Sequence, residues 1–188
     1  DALAACRAGA DLLYVPKVRH ADELARLGAL LEPVERKAMQ FIALLEDIGA
    51  VLDARAIATA PRLAGLSVGG EDLALSMGAE PTPEVLRQPK LLVHYVAKER
   101  GLLSIGMLRS TADYSDAEGI AAAAKEARAQ GFDGATCVHP SVVPLLNAGF
   151  AHSAAQLDWA QRVVEASASG EGAFQIDGRM VDAPVIAR

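Results

Sequence analysis

Five short apolar runs, separated by stretches with helical signals, constrain the fold of this 188-residue chain most strongly. The runs are nearly continuous rather than alternating, which is typical of parallel strands covered by helices. Alternation of strands and helices along the chain favours an α/β fold with a parallel sheet. The predicted strands are residues 12–18, 41–46, 63–68, 102–108 and 134–139.

Helix-start signals occupy the intervals between these runs. Thr82 followed by Pro83 is typical of an N-cap and a first helical turn. Ser115 with Glu118, and Ser153 with Gln156, have the spacing of capping boxes. We therefore predict helices from 22 to about 38 with a kink or break at Pro33, from 82 to 101, from 115 to 131 and from 153 to 167.

The pattern changes after residue 167. Residues 169–172 are predicted to be a flexible link, and residues 173–176 and 179–181 a small hairpin that turns at Asp177-Gly178. Asp182 and Pro184 end the hairpin. We expect two parts, residues 1–152 with the strand–helix pattern and a C-terminal extension, residues 153–188, that contacts a neighbouring subunit.

Composition excludes several classes of protein. The net charge is −6, and no cluster of Lys and Arg indicates a nucleic-acid partner. No apolar run approaches the roughly 18 residues that a membrane span needs. The two cysteines are far apart and form neither a disulfide framework nor a zinc site. A soluble cytoplasmic protein is expected.

Two carboxylates follow neighbouring predicted strands. Glu46 ends the run at residues 41–46, and Asp72 follows Gly69 and Gly70 after the run at 63–68. Such a pair is suited to Mg²⁺, which takes one or two carboxylates and keeps water or substrate oxygens. The alternative is that Asp72 only favours a helix N-terminus and Glu46 only lies at the edge of the sheet.

Lys17 and His139 also follow predicted strands. Lys17 is expected to hold an anionic ligand group, such as a phosphate or carboxylate, or to pair with a carboxylate such as Glu46. His139 is expected either to cap the next helix, buried against the rim, or to lie beside a ligand. The remaining histidines are predicted to be surface residues, namely His20, His94 and His152.

Several segments resemble the citrate lyase β-subunit-like (HpcH/HpaI aldolase and citrate lyase) family, in the same order. Residues 45–54, LEDIGAVLDA, are similar to the family's I-E-T-A-x-G-V-x-N-A segment. The other matching segments are YVPKV at 14–18, GLSVGGEDLA at 65–74, GFDGATCVHP at 131–140 and GAFQIDGRMVDAP at 172–184. The resemblance covers essentially the whole chain and is greatest to the branch that cleaves 3-hydroxyacyl-CoA thioesters.

The resemblance implies a TIM (β/α)8 barrel with a C-terminal extension. It assigns the five runs to strands four to eight, so that three strands of the family barrel, including one with a substrate-binding arginine, would precede Asp1. Five strand–helix units are otherwise too few for a closed barrel of ~250 residues, and an open five-stranded sheet is the alternative. We therefore expect the sequence to be part of a longer barrel.

The resemblance also implies a function. Glu46 and Asp72 match the family's Mg²⁺ ligands, and His139 matches a residue near the coenzyme A arm. Asp182 matches a catalytic acid/base that reaches the active site of a neighbouring subunit, in a homo-oligomer of three or six chains. The expected reaction is carbon–carbon cleavage of a citramalyl-, malyl- or citryl-like thioester of coenzyme A or an acyl carrier.

Other readings stay open at this point. One is a pyruvate-type aldolase that does not use coenzyme A, and another is a non-catalytic subunit of an acyl-carrier lyase complex. The chain also departs from the family pattern, with Asp47 in place of threonine and Asp53 in place of asparagine. Asp47 either supports the metal ligands or alters substrate preference.

Overall fold

The computed structural model describes residues 1–168 and 172–187 of the chain. The chain divides into two compact units, Asp1–Phe150 and Ala151–Arg188, and each is described by itself. Among the described residues, no helix has both the length and the apolar character needed to cross a membrane.

The first unit alternates strands and helices along most of its length. Its strands are β1 (Leu12–Val15), β2 (Gln40–Leu45), β3 (Leu63–Val68) and β4 (Leu103–Ile105). Its helices are α1 (Ala2–Arg7), α2 (Ala21–Leu31), α3 (Ile48–Leu52), α4 (Ala54–Ile57), α5 (Gly70–Met77), α6 (Pro83–Glu99), α7 (Ala117–Ala129) and α8 (Val143–Phe150). A 3₁₀ turn, Pro140–Val142, precedes α8.

The strands of this unit form one parallel sheet in the order β1-β2-β3-β4. Val15 pairs with Ala43 and Leu45 pairs with Val68, so the first three strands end at the same edge. The prediction of an α/β fold with a parallel sheet is confirmed. This shared carboxyl edge is the part of the fold that positions the candidate site.

Helices cover one face of the sheet. Phe41, Ala43 and Leu45 alternate along β2, are fully buried, and pack in one apolar cluster with helical residues such as Leu24 and Leu86. Full burial of a side chain the size of Phe or Leu stabilises a fold by about 1.5–3 kcal/mol. The strand positions are therefore fixed by the same alternate residues that fill the core.

The fifth predicted strand, residues 134–139, is wrong. Gly134 makes an isolated parallel bridge to Ile105, and the chain then continues into the 3₁₀ turn. β4 ends at Ile105 rather than at residue 108, because Gly106 takes a φ of +153° that turns the backbone out of the ladder. β4 therefore offers no extended partner along which residues 135–139 could pair.

The predicted helices are confirmed with changes at their ends. Thr82 caps α6, and Ser153 forms the predicted capping box. The capping box predicted at Ser115 is wrong by one residue. The carboxylate of Asp116 accepts the hydrogen bond from Gly119 at 2.9 Å, whereas the hydroxyl of Ser115 donates to Asp113. A carboxylate and a hydroxyl are both good N-caps, so sequence alone does not separate neighbouring candidates.

Two further predictions about helices are wrong. The break predicted at Pro33 is present, since α2 ends at Leu31, but the predicted continuation of the helix to about residue 38 is wrong, because proline disfavours the helical hydrogen-bond pattern. His94 is not a surface residue, since it is 4% exposed on the face of α6 that contacts the sheet. Its ring stacks on Phe132 with centroids 4.4 Å apart, and Nδ1 lies 2.8 Å from the hydroxyl oxygen of Ser104.

The second unit contains α9 (Ala154–Ser167), β5 (Ala173–Ile176), β6 (Arg179–Asp182) and α10 (Ala183–Ala187). β5 and β6 form the predicted antiparallel hairpin. Its turn has positive φ at Asp177 and Gly178, and Arg162 of α9 donates to the Asp177 carboxylate at 2.7 Å. The predicted link at residues 169–172 falls mainly on residues 169–171, which lie outside the described residues.

Candidate metal centre

Glu46 and Asp72 lie at the carboxyl edge of the sheet. Glu46 directly follows β2, and Asp72 lies in the first turn of α5, which begins two residues after β3. The amide of Gly69 donates to the carbonyl of Leu45 at 3.0 Å, which continues the pairing of β2 and β3 up to the two acidic residues. The parallel register therefore brings both carboxylates to the same place.

Gly69 allows Glu46 to approach the backbone. A Cβ atom at this glycine would lie 2.6 Å from Oε1 and 2.7 Å from Cγ of Glu46, closer than real Cβ contacts. The carboxylate thus occupies the space that any side chain at position 69 would fill. Glycine is required here by a close approach rather than by a positive φ.

Lys17 contacts both carboxylates. Its backbone takes a φ of +56°, its amide donates to Oε2 of Glu46 at 3.0 Å, and its ammonium lies 3.6 Å from Oδ2 of Asp72. The side chain is 72% exposed, so this ion pair contributes little to stability. Of the alternatives predicted for Lys17, the structure shows a rim ion pair, with Asp72 rather than Glu46 as the partner of the ammonium.

The charge of the centre is only partly compensated. Burial raises the pKa of the Glu46 carboxyl, and the negative charge of Asp72 raises it further, while the amide and ammonium of Lys17 act in the opposite direction. Two close carboxylates favour a bound cation, because a cation relieves their repulsion.

This donor set fits an open Mg²⁺ site. Mg²⁺ is commonly bound through one or two carboxylates and retains water or substrate oxygens as its other ligands. In the part of the chain that the structure describes, no group of three or more His, Cys, Asp and Glu side chains is placed to hold a metal. Glu46 and Asp72 would therefore leave most coordination positions to water and substrate.

His139 is the N-cap of the 3₁₀ turn that precedes α8. Its Nδ1 accepts from the amide of Ser141 at 3.2 Å, and its ring stacks on Tyr114 with centroids 4.8 Å apart. The predicted capping role is therefore present, but the predicted burial is wrong because the residue is exposed. An exposed ring remains accessible to a ligand.

Asp182 lies in the second unit, at the end of β6 and directly before α10. Its backbone pairs with Ala173 of β5, and the residue is half-buried. It is thus presented by a regular hairpin, on a different unit from Glu46, Asp72, Lys17 and His139.

A buried lysine close to the centre escaped the sequence analysis. Lys90 of α6 is 5% exposed and donates to the carbonyl oxygens of Met107 and Arg109. Burial lowers the pKa of its ammonium to about 8, and the negative charge of Glu71 opposes that shift. The helical period indicated that Lys90 is buried, because it places Lys90 on the same face of α6 as Leu86, Val93 and Ala97.

Comparison with known proteins identifies the family. A sequence model of the HpcH/HpaI aldolase/citrate lyase family matches residues 1–140. The chain belongs to this family. The resemblance stated from the five segments is thereby confirmed.

Curated members of the HpcH/HpaI family are similar to nearly the whole chain. A (3S)-malyl-CoA thioesterase of Cereibacter sphaeroides is 33% identical over an alignment of 188 residues, which covers 97% of this chain and 64% of that protein. A citrate lyase subunit beta-like protein of Mycobacterium tuberculosis is 32% identical over 170 residues, covering 87% of this chain and 62% of that protein. The chain thus spans less than two thirds of the length of these relatives.

Solved structures are similar to this chain over most of its length. The protein CitE of Mycobacterium tuberculosis, in complex with magnesium, acetoacetate and coenzyme A, superimposes with a TM-score of 0.78 at 30% identity, covering 94% of this chain and 65% of that one. A citrate lyase of Burkholderia xenovorans reaches a TM-score of 0.79 at 19% identity, covering 94% of this chain and 60% of that one. The second likeness shows the fold alone.

Asp47, which departs from the HpcH/HpaI family pattern, has a structural role here. Its carboxylate caps α3 by accepting from the amide of Ala50 at 2.9 Å, and it accepts from Nε of Arg19 at 2.7 Å. Although burial alone would raise its pKa, these partners hold the pKa of Asp47 below the ordinary value. The negative charge of Asp47 is thus paired with the guanidinium of Arg19, a partner that the sequence alone did not indicate.

The close approach of Gly69 to Glu46 gives a testable prediction. Gly69→Ala places a methyl group where the Glu46 carboxylate now lies, so we expect the carboxylate to move and Mg²⁺ affinity to fall by about 10- to 100-fold, as when the support of a metal ligand is lost. Calorimetric titration with Mg²⁺ measures this. Gly172→Ala, where a Cβ would meet nothing within 4 Å, is the control, and equal affinity in both variants would contradict the prediction.

Proposed function

We propose that this chain carries the magnesium centre of a carbon–carbon lyase that cleaves a 3-hydroxyacyl-CoA thioester, of citramalyl-, malyl- or citryl-like type, to an acyl thioester and a 2-oxo acid. The observation that carries the proposal is the convergence of Glu46 and Asp72 at one sheet edge, with Lys17 in contact with both. Membership of the family supports it, as does the relative solved with magnesium and coenzyme A.

The proposal includes the barrel that the resemblance implies. The consecutive strand order and the purely parallel pairing support an arc of a (β/α)8 barrel, equivalent to its fourth and following strands. Active sites of such barrels lie at the carboxyl ends of the strands, which is where Glu46 and Asp72 are found.

Glu46 and Asp72 would hold the Mg²⁺. When bound, the ion supplies Lewis-acid polarisation of the substrate oxygens that reach it. Lys17 is placed to bind and orient an anionic group of the substrate, either its carboxylate or a phosphate of coenzyme A, because its exposed ammonium lies at the same edge. His139, exposed and stacked on Tyr114, is the proposed contact to the coenzyme A arm.

The bond between the hydroxyl-bearing carbon and the thioester α-carbon breaks in this reaction. The hydroxyl group releases its proton to bulk water and becomes the carbonyl of the 2-oxo acid, while the bonding electron pair passes to the α-carbon. We propose that Asp182 of a neighbouring copy then delivers a proton to that α-carbon as general acid, and removes it in the reverse condensation. A homo-oligomer, a trimer or hexamer, would be the working form.

Thioester hydrolysis is a second candidate. It is favoured by the similarity to a protein named (3S)-malyl-CoA thioesterase. Hydrolysis releases free coenzyme A and a hydroxy acid, whereas the lyase releases an acyl thioester and a 2-oxo acid. The two reactions therefore differ in both products.

Product analysis tests the proposal. The purified full-length protein is incubated with malyl-CoA or citramalyl-CoA and Mg²⁺, free thiol is measured colorimetrically, and the 2-oxo acid is trapped as a hydrazone. We expect the 2-oxo acid and acyl-CoA in equal amounts, with loss of both after addition of EDTA. Free thiol without 2-oxo acid would replace the lyase by a thioesterase, and a 2-oxo acid from free hydroxy acids alone would indicate an aldolase. No turnover of any of these, with intact Mg²⁺ binding, would indicate a non-catalytic subunit.

A further inference from the structure

The ammonium of Lys90 lies in the core of the first unit and holds a segment without regular structure. Nζ donates to the carbonyl of Met107 at 2.9 Å and to that of Arg109 at 2.7 Å, in the connection between β4 and α7. Burying an ammonium is costly unless it is hydrogen-bonded, and bonds from a charged donor are stronger than neutral ones. Most of the neighbouring buried residues of α6 are apolar and the other polar one, His94, is an uncharged ring stacked on Phe132, so packing alone does not explain a lysine at this position.

The first turn of α5 lies directly against the same lysine. A Cβ atom at Gly70 would be 2.9 Å from Cδ1 of Leu86 and 3.6 Å from Nζ of Lys90. Gly70 therefore rests on α6 beside the ammonium, two residues before Asp72. A shift of Lys90 would change the support beneath the turn that carries this carboxylate.

A second hydrogen bond connects the same segment, residues 107–110, to α5. The hydroxyl of Ser110 donates a short hydrogen bond to the carboxylate of Glu71, the residue next to Asp72. The charge of Glu71 also acts on Lys90. Residues 107–110 are thus held between Lys90 on α6 and Glu71 on α5.

We infer that Lys90 is a positioning residue for the metal centre: by bonding the carbonyls of Met107 and Arg109, it fixes residues 107–110 and the first turn of α5 together, and so sets the position of Asp72. The inference rests on the proposed function, in which Asp72 is a metal ligand. Lys90 itself touches neither metal nor substrate in this role, because its ammonium is used by the two carbonyls.

Lys90→Met tests the inference, since methionine fills similar volume but leaves both carbonyls without their donor. We expect the dissociation constant for Mg²⁺ to rise about tenfold, as when a residue supporting a metal ligand is lost. Amide hydrogen exchange in the metal-free protein should become faster over residues 107–113. Lys90→Arg, which keeps the charge and the donors, should bind Mg²⁺ more tightly than Lys90→Met.

Lys98→Met is the matched control, because Lys98 lies on the same helix and pairs at its surface with Asp133. It should leave both the Mg²⁺ affinity and the exchange rates at wild-type values. Ser110→Ala is the second test variant, for the case that Lys90→Met does not fold. It removes the hydrogen bond from Ser110 to Glu71 and should also raise the dissociation constant for Mg²⁺.

The outcomes separate this inference from the proposed function. If Lys90→Met or Ser110→Ala lowers only the melting temperature and binds Mg²⁺ as wild type does, while Glu46→Gln loses binding, the positioning role is overturned and the metal centre stands. If Glu46→Gln itself binds Mg²⁺ with wild-type affinity, the metal centre is overturned, and the inference with it.

Discussion

Replacing Glu46 by glutamine, or Asp72 by asparagine, is expected to weaken Mg²⁺ binding by at least about 100-fold, because even residues that only support a ligand cost 10–100-fold. Each change removes one of the two negative charges at the sheet edge while keeping the shape of the side chain. Thioester cleavage should fall below detection in both variants. Calorimetric Mg²⁺ titration and the 2-oxo acid assay measure the two effects separately.

Asp53→Asn is the matched control for this experiment. It makes the same change of charge at an exposed residue in the segment after β2, and it restores the residue that the family pattern has there. We expect wild-type Mg²⁺ affinity and activity. Comparable losses in Asp53→Asn would show that general charge, rather than coordination by Glu46 and Asp72, governs binding.

The raised pKa of Glu46 adds a stability test. A carboxyl whose pKa is raised on folding stabilises the protein most at low pH, and this contribution is lost as the pH rises through the raised pKa. Folding of the metal-free protein therefore disfavours the ionised form of Glu46, and glutamine removes this unfavourable contribution. The melting temperature of metal-free Glu46→Gln should not fall below that of wild type. Mg²⁺ affinity of wild type should decline as the pH falls through the pKa of Glu46.

The candidate centre was predictable because it depends on strand direction rather than on side-chain detail. Once two neighbouring runs are parallel, residues that follow them meet at one edge, so Glu46 and Asp72 could be paired from sequence. The hydrogen bond from the Lys17 amide to Glu46 could not be predicted, because it depends on a backbone φ of +56° that is uncommon for lysine.

The wrong predictions for residues 134–139 and for His94 have different physical causes. The run at residues 134–139 has the composition of a strand, but a strand also needs a partner of matching length, and β4 ends at Ile105. His94 and Lys90 are polar, so composition places them on the surface, whereas the helical period places them with Val93 and Ala97 toward the sheet. Period was the better guide at both positions, because the buried polar groups find partners in Ser104 and in the Met107 carbonyl.

Asp182→Asn is expected to lower the turnover number by about 100-fold or more, the usual contribution of a general acid or base, while leaving Mg²⁺ affinity unchanged. Asp182 is carried by the β5–β6 hairpin of the second unit, whereas the proposed metal ligands Glu46 and Asp72 belong to the first unit. Arg179→Gln, on the same strand, is the control and should keep wild-type turnover. A fall in Mg²⁺ affinity in Asp182→Asn would contradict the assignment of this residue to proton transfer.

Mixing two inactive variants decides which copy supplies Asp182. If each site combines Glu46 of one chain with Asp182 of its neighbour, co-refolding Glu46→Gln with Asp182→Asn in equal amounts restores about a quarter of the sites in a cyclic oligomer. If both residues serve the same chain, every site in the mixture lacks one of them and no activity returns. Restored cleavage would thus establish a shared site, and its absence in mixed oligomers of confirmed composition would place Asp182 with its own chain's metal centre or outside the reaction.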